Sequence, residues 1–144
     1  MIKVSDILSV SKAANLEELK VKYFTGCAID SRTVDKDELF IAIKGESNDG
    51  HKYLNEVFKR KVKAALVNKN WYDRNKTLFK DKTFFIVKDT VEALGELARI
   101  HKYNFSVPVL CVGGSNGKTT TKDMIAQVLS RKYNVLKNEG NFNN

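Results

Sequence analysis

The stretch Cys111–Ser130, CVGGSNGKTTTKDMIAQVLS, constrains this chain more than any other. It is entered from PVLCVGG, which opens at the sole proline, Pro108. A near-continuous apolar run of that kind predicts a strand buried on both faces of a parallel sheet, and its glycines end the strand. From Lys118 onward, Met124, Ile125, Val128 and Leu129 recur at i, i+1, i+4 and i+5, predicting a helix with one face packed on the sheet. YNVLKN, Tyr133 to Asn138, is the next predicted strand. A strand, a glycine turn and a helix opening with Gly-Lys-Thr aims backbone N–H groups and a helix N-terminus at one spot, where phosphate oxygens can be held. There Gly117 lets the backbone come close and Lys118 reaches the terminal phosphates as a point charge. On that reading the hydroxyl of Thr119 would ligate the magnesium that bridges those phosphates, and Thr120 would add a further contact. The plain alternative is a glycine turn that only joins strand to helix. The G-x-x-x-x-G-K-[ST] spacing asks for glycine at position 112, where this chain has Val112; Gly113 and Gly114 fall inside a shorter loop.

Upstream, a short helix is predicted from Ser5, with Ile7, Leu8 and Val10 apolar, then extended segments at Tyr23 to Ile29 and Leu39 to Ile43. Asp49-Gly50 marks a turn. HKYLNEVFKRKVK follows as a helix with Leu54, Val57, Phe58 and Lys61 on one side, and AALVN as a buried strand. NKNWYDRNKTLFKDK reads as polar and irregular, and Thr83 to Val87, TFFIV, as another apolar strand. Asp89 with Glu92 three residues on resembles a capping box, opening a helix with Val91, Leu94, Leu97, Ala98 and Ile100 on its apolar side and an end near Asn104. The class is α/β: a small N-terminal mixed α/β domain, residues 1–83, then the start of a P-loop-type parallel-sheet domain, residues 84–144.

The formal net charge of +8 admits an anionic partner such as nucleic acid. The lysines of VFKRKVKAALVNKN instead sit on and just after one short amphipathic helix, without a zinc-finger or aromatic RNA-binding pattern. Nucleic acid is therefore not expected, and Trp71 and Tyr72 are read as local packing rather than base-stacking residues. The two cysteines, Cys27 and Cys111, lie far apart without a C-x-x-C, so buried reduced thiols are expected rather than a zinc site or disulfide. No apolar run reaches membrane-spanning length, and Asp6 interrupts the N-terminal stretch where a signal peptide is continuous, so a cytoplasmic globular protein without membrane insertion is expected. Oligomeric state is left open.

The shortened loop GSNGKTTTKDM resembles the ATP-binding loop of the Mur ligases, ATP-dependent enzymes that add amino acids to the peptide of the bacterial cell-wall precursor. Gly114 matches the family's glycine, and Gly113 stands where the family usually has threonine. DSRTVDKDELFIAIKGESNDGHKYL, Asp30 to Leu54, resembles the family's N-terminal signature of Asp-Ser-Arg, Phe-x-Ala, Gly and Asp-Gly-His. KNEGNFNN, Lys137 to Asn144, resembles the Gly-Asn-x-Asn-Asn element of the members that attach D-alanyl-D-alanine.

The resemblance implies an ATP site at Gly114, Ser115, Asn116, Gly117, Lys118, Thr119 and Thr120, with magnesium at Thr119 and catalytic roles for Lys118 and Thr119. It implies a site for the UDP end of the substrate at Ser31, Arg32, Lys44, Asp49, Gly50 and His51, and nucleotide or substrate contacts from Asn141, Asn143 and Asn144. From the residues alone, Arg32 either faces a diphosphate or braces the fold through Asp30, Asp35 or Asp49. His51 either touches uridine or orients its turn, the asparagines are also ordinary polar-turn residues, and His101 is a surface-helix residue. The implied reaction joins D-alanyl-D-alanine to UDP-N-acetylmuramoyl tripeptide through an acyl phosphate. The resemblance further implies that the chain covers the first of three domains and the opening of the second, so that this stretch alone is not expected to be active and leaves an exposed sheet edge in residues 84–144. A non-catalytic UDP-precursor binding module, the related ligase that adds the third peptide residue, and an unrelated small P-loop kinase or ATPase are the other readings.

Overall fold

The computed structural model describes residues 1–46 and 48–138. Two compact units divide the chain, Met1–Phe105 and Ser106–Asn144.

In the first unit the apolar runs are too short to stand alone and are stable only as neighbours in a sheet. Five strands stand side by side in the order β2 (Lys12–Ala14), β7 (Thr83–Val87), β6 (Ala64–Asn68), β5 (Leu39–Ile41), β4 (Cys27–Ala28). From β7 to β4 every pairing is parallel, while β2 runs antiparallel along the outer edge of β7. A separate antiparallel pair joins β1 (Ile2–Lys3) to β3 (Tyr23–Phe24).

Strict alternation along the strands feeds two cores. Leu39, Ile41, Ala64, Leu66, Phe85 and Val87 meet Ile7 of α1 (Val4–Val10) with Ala93 and Leu97 of α4 (Thr90–Tyr103) on one face. Phe40, Ala65, Val67 and Phe84 meet Leu54 and Val57 of α2 (Leu54–Lys59), and Trp71 and Tyr72 of α3 (Lys69–Asn75), on the other. With helices on both faces, the central strands β5, β6 and β7 are almost wholly buried, which is why they read as unbroken apolar runs, while β2 and β4 at the edges are only partly covered.

Several expectations shift. The stretch Tyr23 to Ile29 is two short strands, β3 and β4, with Thr25-Gly26 between them. The helix predicted over HKYLNEVFKRKVK is a 3₁₀ turn, Gly50–Tyr53, followed by α2, and Lys61 lies beyond its end with φ of 65° rather than on its apolar side. The stretch read as irregular contains α3, because Asn68 caps it: its Oδ1 accepts from the N–H groups of Asn70 and Trp71. In α4, Asp89 caps Val91 and Glu92 as predicted, but Val91 and Ala98 face outward and the buried stripe is Thr90, Ala93 and Leu97.

A boundary near residue 83 does not match the packing. β7 pairs along its whole length with β6, and α4 buries its stripe on the same core, so both belong to the first unit and the division falls at 105/106.

The second unit holds α5 (Lys118–Leu129). Neither predicted strand forms: PVLCVGG and YNVLKN have no ladder partner among the described residues, and a strand exists only by pairing. Val109, Leu110 and Leu136 are consequently 63%, 69% and 99% exposed. Met124 and Val128 are exposed too, with Ile125 and Leu129 half-buried, so α5 has its amphipathic face without a sheet beneath it.

Candidate substrate and phosphate sites

Both halves of the Asp30–Leu54 signature leave the carboxyl ends of adjacent parallel strands, Asp30-Ser31-Arg32 after β4 and Lys44 to His51 after β5. Open α/β sheets present their ligand crevice at this edge. Asp30 sets the first turn by accepting the N–H of Arg32 at 2.9 Å, and the Arg32 guanidinium folds back on the same carboxylate at 2.6 to 3.2 Å. These bonds from Arg32 hold the Asp30 carboxyl down at about 2. Of the three braces open to Arg32, the structure uses Asp30; the Arg32 side chain remains 84% exposed. Its carbonyl accepts from Arg60, and Ser31 beside it is buried.

The second half is a tight hairpin. Gly45 donates to Asn48 and Gly50 to Ile43, each at 2.8 Å, and Lys44 bridges Asp49. Gly50 is required because a Cβ there would lie 3.0 Å from the N and O of Ile43. The glycine therefore admits protein backbone rather than a ligand.

Asp49 Oδ1 accepts from the N–H of His51 at 3.0 Å and meets the ring Nδ1 at 2.6 Å. Burial pushes the Asp49 carboxyl up, but the His51 donors and the Lys44 charge outweigh it and hold it below the ordinary carboxylate range. The Tyr53 hydroxyl donates to Asn48 Oδ1 at 3.2 Å.

His51 is 4% exposed. Its Nε2 accepts the backbone N–H of Asn68 at 3.0 Å, and its ring lies 5.1 Å from that of Trp71. Both nitrogens are engaged, so the ring orients its turn and is closed to uridine; of the two sequence readings, this is the one its burial allows. Arg32 and Lys44 remain exposed cations at this edge. Asn68 and Trp71 escaped the sequence reading as site residues. Their signal was an asparagine followed by helix-compatible residues, obscured by the polarity of NKNWYDRN.

In the second unit Gly114 and Gly117 take φ of 146° and 74°, conformations that disfavour any side chain, and Gly117 caps α5 in the left-handed region. The Lys118 ammonium donates back to the carbonyls of Gly114 and Ser115 at 2.8 and 3.3 Å, so the loop curls around its own cation. Among the described residues, chain neighbours aside, nothing lies within 4 Å of where a Cβ on Gly113 or Gly117 would stand. This is a cationic glycine turn at a helix N-terminus, with open space beside Gly113 and Gly117, the kind of element that can hold an anion. Thr119 and Thr120 occupy the first turn of α5. Asn141, Asn143 and Asn144 lie outside the described residues.

The profile described as "Mur ligase family, catalytic domain" matches residues 23–102, more than half of the chain. The chain belongs to the Mur ligase family. A second profile, "Mur ligase middle domain", matches residues 112–144 and so includes the glycine loop. The UDP-N-acetylmuramoyl-tripeptide–D-alanyl-D-alanine ligase of Bacillus subtilis (strain 168) is 41% identical over 119 residues, covering 83% of this chain and 25% of that protein. The crystal structure of MurF ligase from Thermotoga maritima in complex with ADP superposes with a TM-score of 0.70 at 35% identity, covering 81% of this chain and 26% of that one. MurF from Acinetobacter baumannii superposes with a TM-score of 0.79 at 26% identity, over 99% and 30% respectively. The chain thus spans under a third of the Mur ligases it matches. Among the described residues no helix is long and apolar enough to cross a membrane.

Proposed function

We propose that this chain is the substrate domain and the opening of the ATP domain of a ligase that joins D-alanyl-D-alanine to UDP-N-acetylmuramoyl tripeptide in the cytoplasm. The observation that carries the reading is the Gly113–Thr120 turn, curled around the Lys118 ammonium at the mouth of α5. Likeness to the Bacillus enzyme supports the substrate, and the ADP-bound relative supports the nucleotide.

On this reading Met1–Phe105 holds the UDP end through Ser31, Arg32, Lys44 and the Asp49-Gly50 turn. The exposed cations Arg32 and Lys44 face the diphosphate, and His51 acts from behind. Gly114 to Thr120 holds ATP: backbone N–H groups receive the phosphate oxygens, and Lys118 turns from the loop carbonyls to the terminal phosphates. Asn141, Asn143 and Asn144 supply amides to nucleotide or substrate.

The Thr119 hydroxyl, in the first turn of α5, is the group of this stretch that would hold magnesium. Bound there, it supplies neutralisation of the charge on the transferring phosphoryl group.

The substrate carboxylate attacks the γ-phosphorus, the bond to the bridging oxygen breaks and ADP leaves. The amine of D-alanyl-D-alanine then attacks the acyl carbon, phosphate departs with the bonding pair, and the amine loses its proton as the amide forms. Positioning and charge neutralisation by Lys118 and the α5 N-terminus are what this chain contributes.

The test is D-alanyl-D-alanine-dependent release of phosphate from ATP by the gene's full product, with UDP-N-acetylmuramoyl tripeptide as acceptor. Release with a different amine or acceptor, and none with these, would sink the reading.

A further inference from the structure

Segments that follow three parallel strands are tied together by hydrogen bonds that pass through one buried ring. After β5, Asp49 holds the Nδ1 side of His51 at 2.6 Å. After β6, the N–H of Asn68 meets Nε2 at 3.0 Å. Asn68 continues the chain: its Oδ1 starts α3 by accepting from Asn70 and Trp71 at 2.8 and 3.4 Å, and its Nδ2 donates to the carbonyl of Lys88 after β7. A backbone N–H can only donate, so Nε2 is unprotonated, the ring proton sits on Nδ1 and the imidazole is neutral.

We propose that His51, with Asn68, is a positioning residue of the carboxyl-edge site. Its neutral ring fixes the Asp49-Gly50 turn against β6 and α3, and protonation of the ring releases that turn and weakens binding of the UDP-bearing ligand. The geometry stands without the functional reading above; the ligand rests on it.

A second ring proton would set donor against donor at 3.0 Å in a place that is 4% exposed, where water cannot take over the lost bond. The charged group facing the ring is Asp49, with Lys44 acting on Asp49 across the hairpin. The Asp49 bond exists in both forms and does not replace the one lost at Nε2. From β6 and α3 the ring meets the Asn68 N–H and the Trp71 indole, which do not titrate; Lys69 is turned to Asp73 at 2.7 Å.

The experiment uses ¹⁵N-labelled chain between roughly pH 5 and 8, the imidazole range. Imidazole nitrogen spectra and hydrogen exchange at the Asn68 amide report the pin, and calorimetric titration with UDP reports the site. Expected are an Nδ1–H tautomer at the alkaline end, with Asn68 protection and UDP affinity falling together on acidification, the affinity by about tenfold. His51→Gln offers a non-titrating amide oxygen to the Asn68 N–H and should retain most of the affinity with a flat profile, whereas His51→Ala should lose about tenfold throughout. An Nε2–H tautomer, or an Asn68 protection factor (exchange relative to the intrinsic rate at each pH) that does not change with pH, overturns the pin. An Asn68 protection factor that falls on acidification in a chain that binds no UDP at any pH overturns the coupling and the substrate reading together, and leaves the pin standing.

Discussion

Replacing Gly50 by alanine separates two reasons for a glycine in the Asp-Gly-His turn. If the glycine lets a ligand approach, the variant should fold normally and lose only affinity. The structure assigns the space to protein: the new methyl would stand 3.0 Å from both N and O of Ile43 and 3.2 Å from the Ala42 Cα. Ordinary contact begins several tenths of an ångström further out, and all three atoms are backbone in a strand exit that cannot swing aside. Relief requires opening the hairpin, which stretches the 2.8 Å bond from Gly50 N–H to Ile43. Overpacking of this kind costs about 1–3 kcal/mol and a weakened backbone bond about 1 more, against roughly 0.5–1 kcal/mol gained from a stiffer unfolded chain. The net loss is about 1–3.5 kcal/mol, or a fall of roughly 5–25 °C in the melting midpoint of a unit this size. Urea and thermal unfolding followed by circular dichroism would read it. Gly95→Ala is the internal control, since nothing lies within 4 Å of its added Cβ in the middle of α4 and it should gain about 0.5–1 kcal/mol. A Gly50→Ala variant as stable as the parent would refute the argument.

Phe84 is fully buried with the rings of Phe58, Tyr72, Phe79 and Trp71 at 5.5, 5.6, 5.8 and 6.0 Å, so Phe84→Ala should destabilise by about 3–5 kcal/mol, visible as a lowered urea midpoint. Because the folded-state carboxyl of Asp49 is held below its unfolded value, its stabilising contribution is complete above the ordinary carboxylate range and is lost as pH falls beneath it. Asp49→Asn should therefore remove part of the acid limb of a stability–pH curve, and an unchanged limb would contradict this. Lys118→Ala should lower ATP affinity by about 10- to 100-fold while leaving the melting midpoint unchanged, since the contacts of its ammonium are to loop carbonyls. Burial, with the Glu38 charge behind it, pushes the Cys27 thiol up to about 11, whereas Cys111 is exposed. A thiol reagent at mildly alkaline pH should label Cys111 quickly and Cys27 only on unfolding; two fast thiols would contradict this.

Much of this was legible in the sequence because it is local. AALVN and TFFIV are strands since nothing interrupts their apolar runs, Asp89 caps α4 since its side chain reaches the next turn, and Gly114 and Gly117 mark where φ turns positive. The apolar runs and the signature motifs together pointed to an α/β class and to the Mur ligase family. Whatever depends on a distant partner was decided by tertiary structure. PVLCVGG has the composition of a central strand but finds no ladder among the described residues, because hydrogen-bond pairing rather than composition makes a strand. β7 and α4 joined the first unit because β6 supplies their ladder and core, moving the boundary to 105/106. His51 is decided the same way: the sequence places an imidazole beside Asp49, and only the fold brings Asn68, seventeen positions away, to its other nitrogen and closes it to solvent.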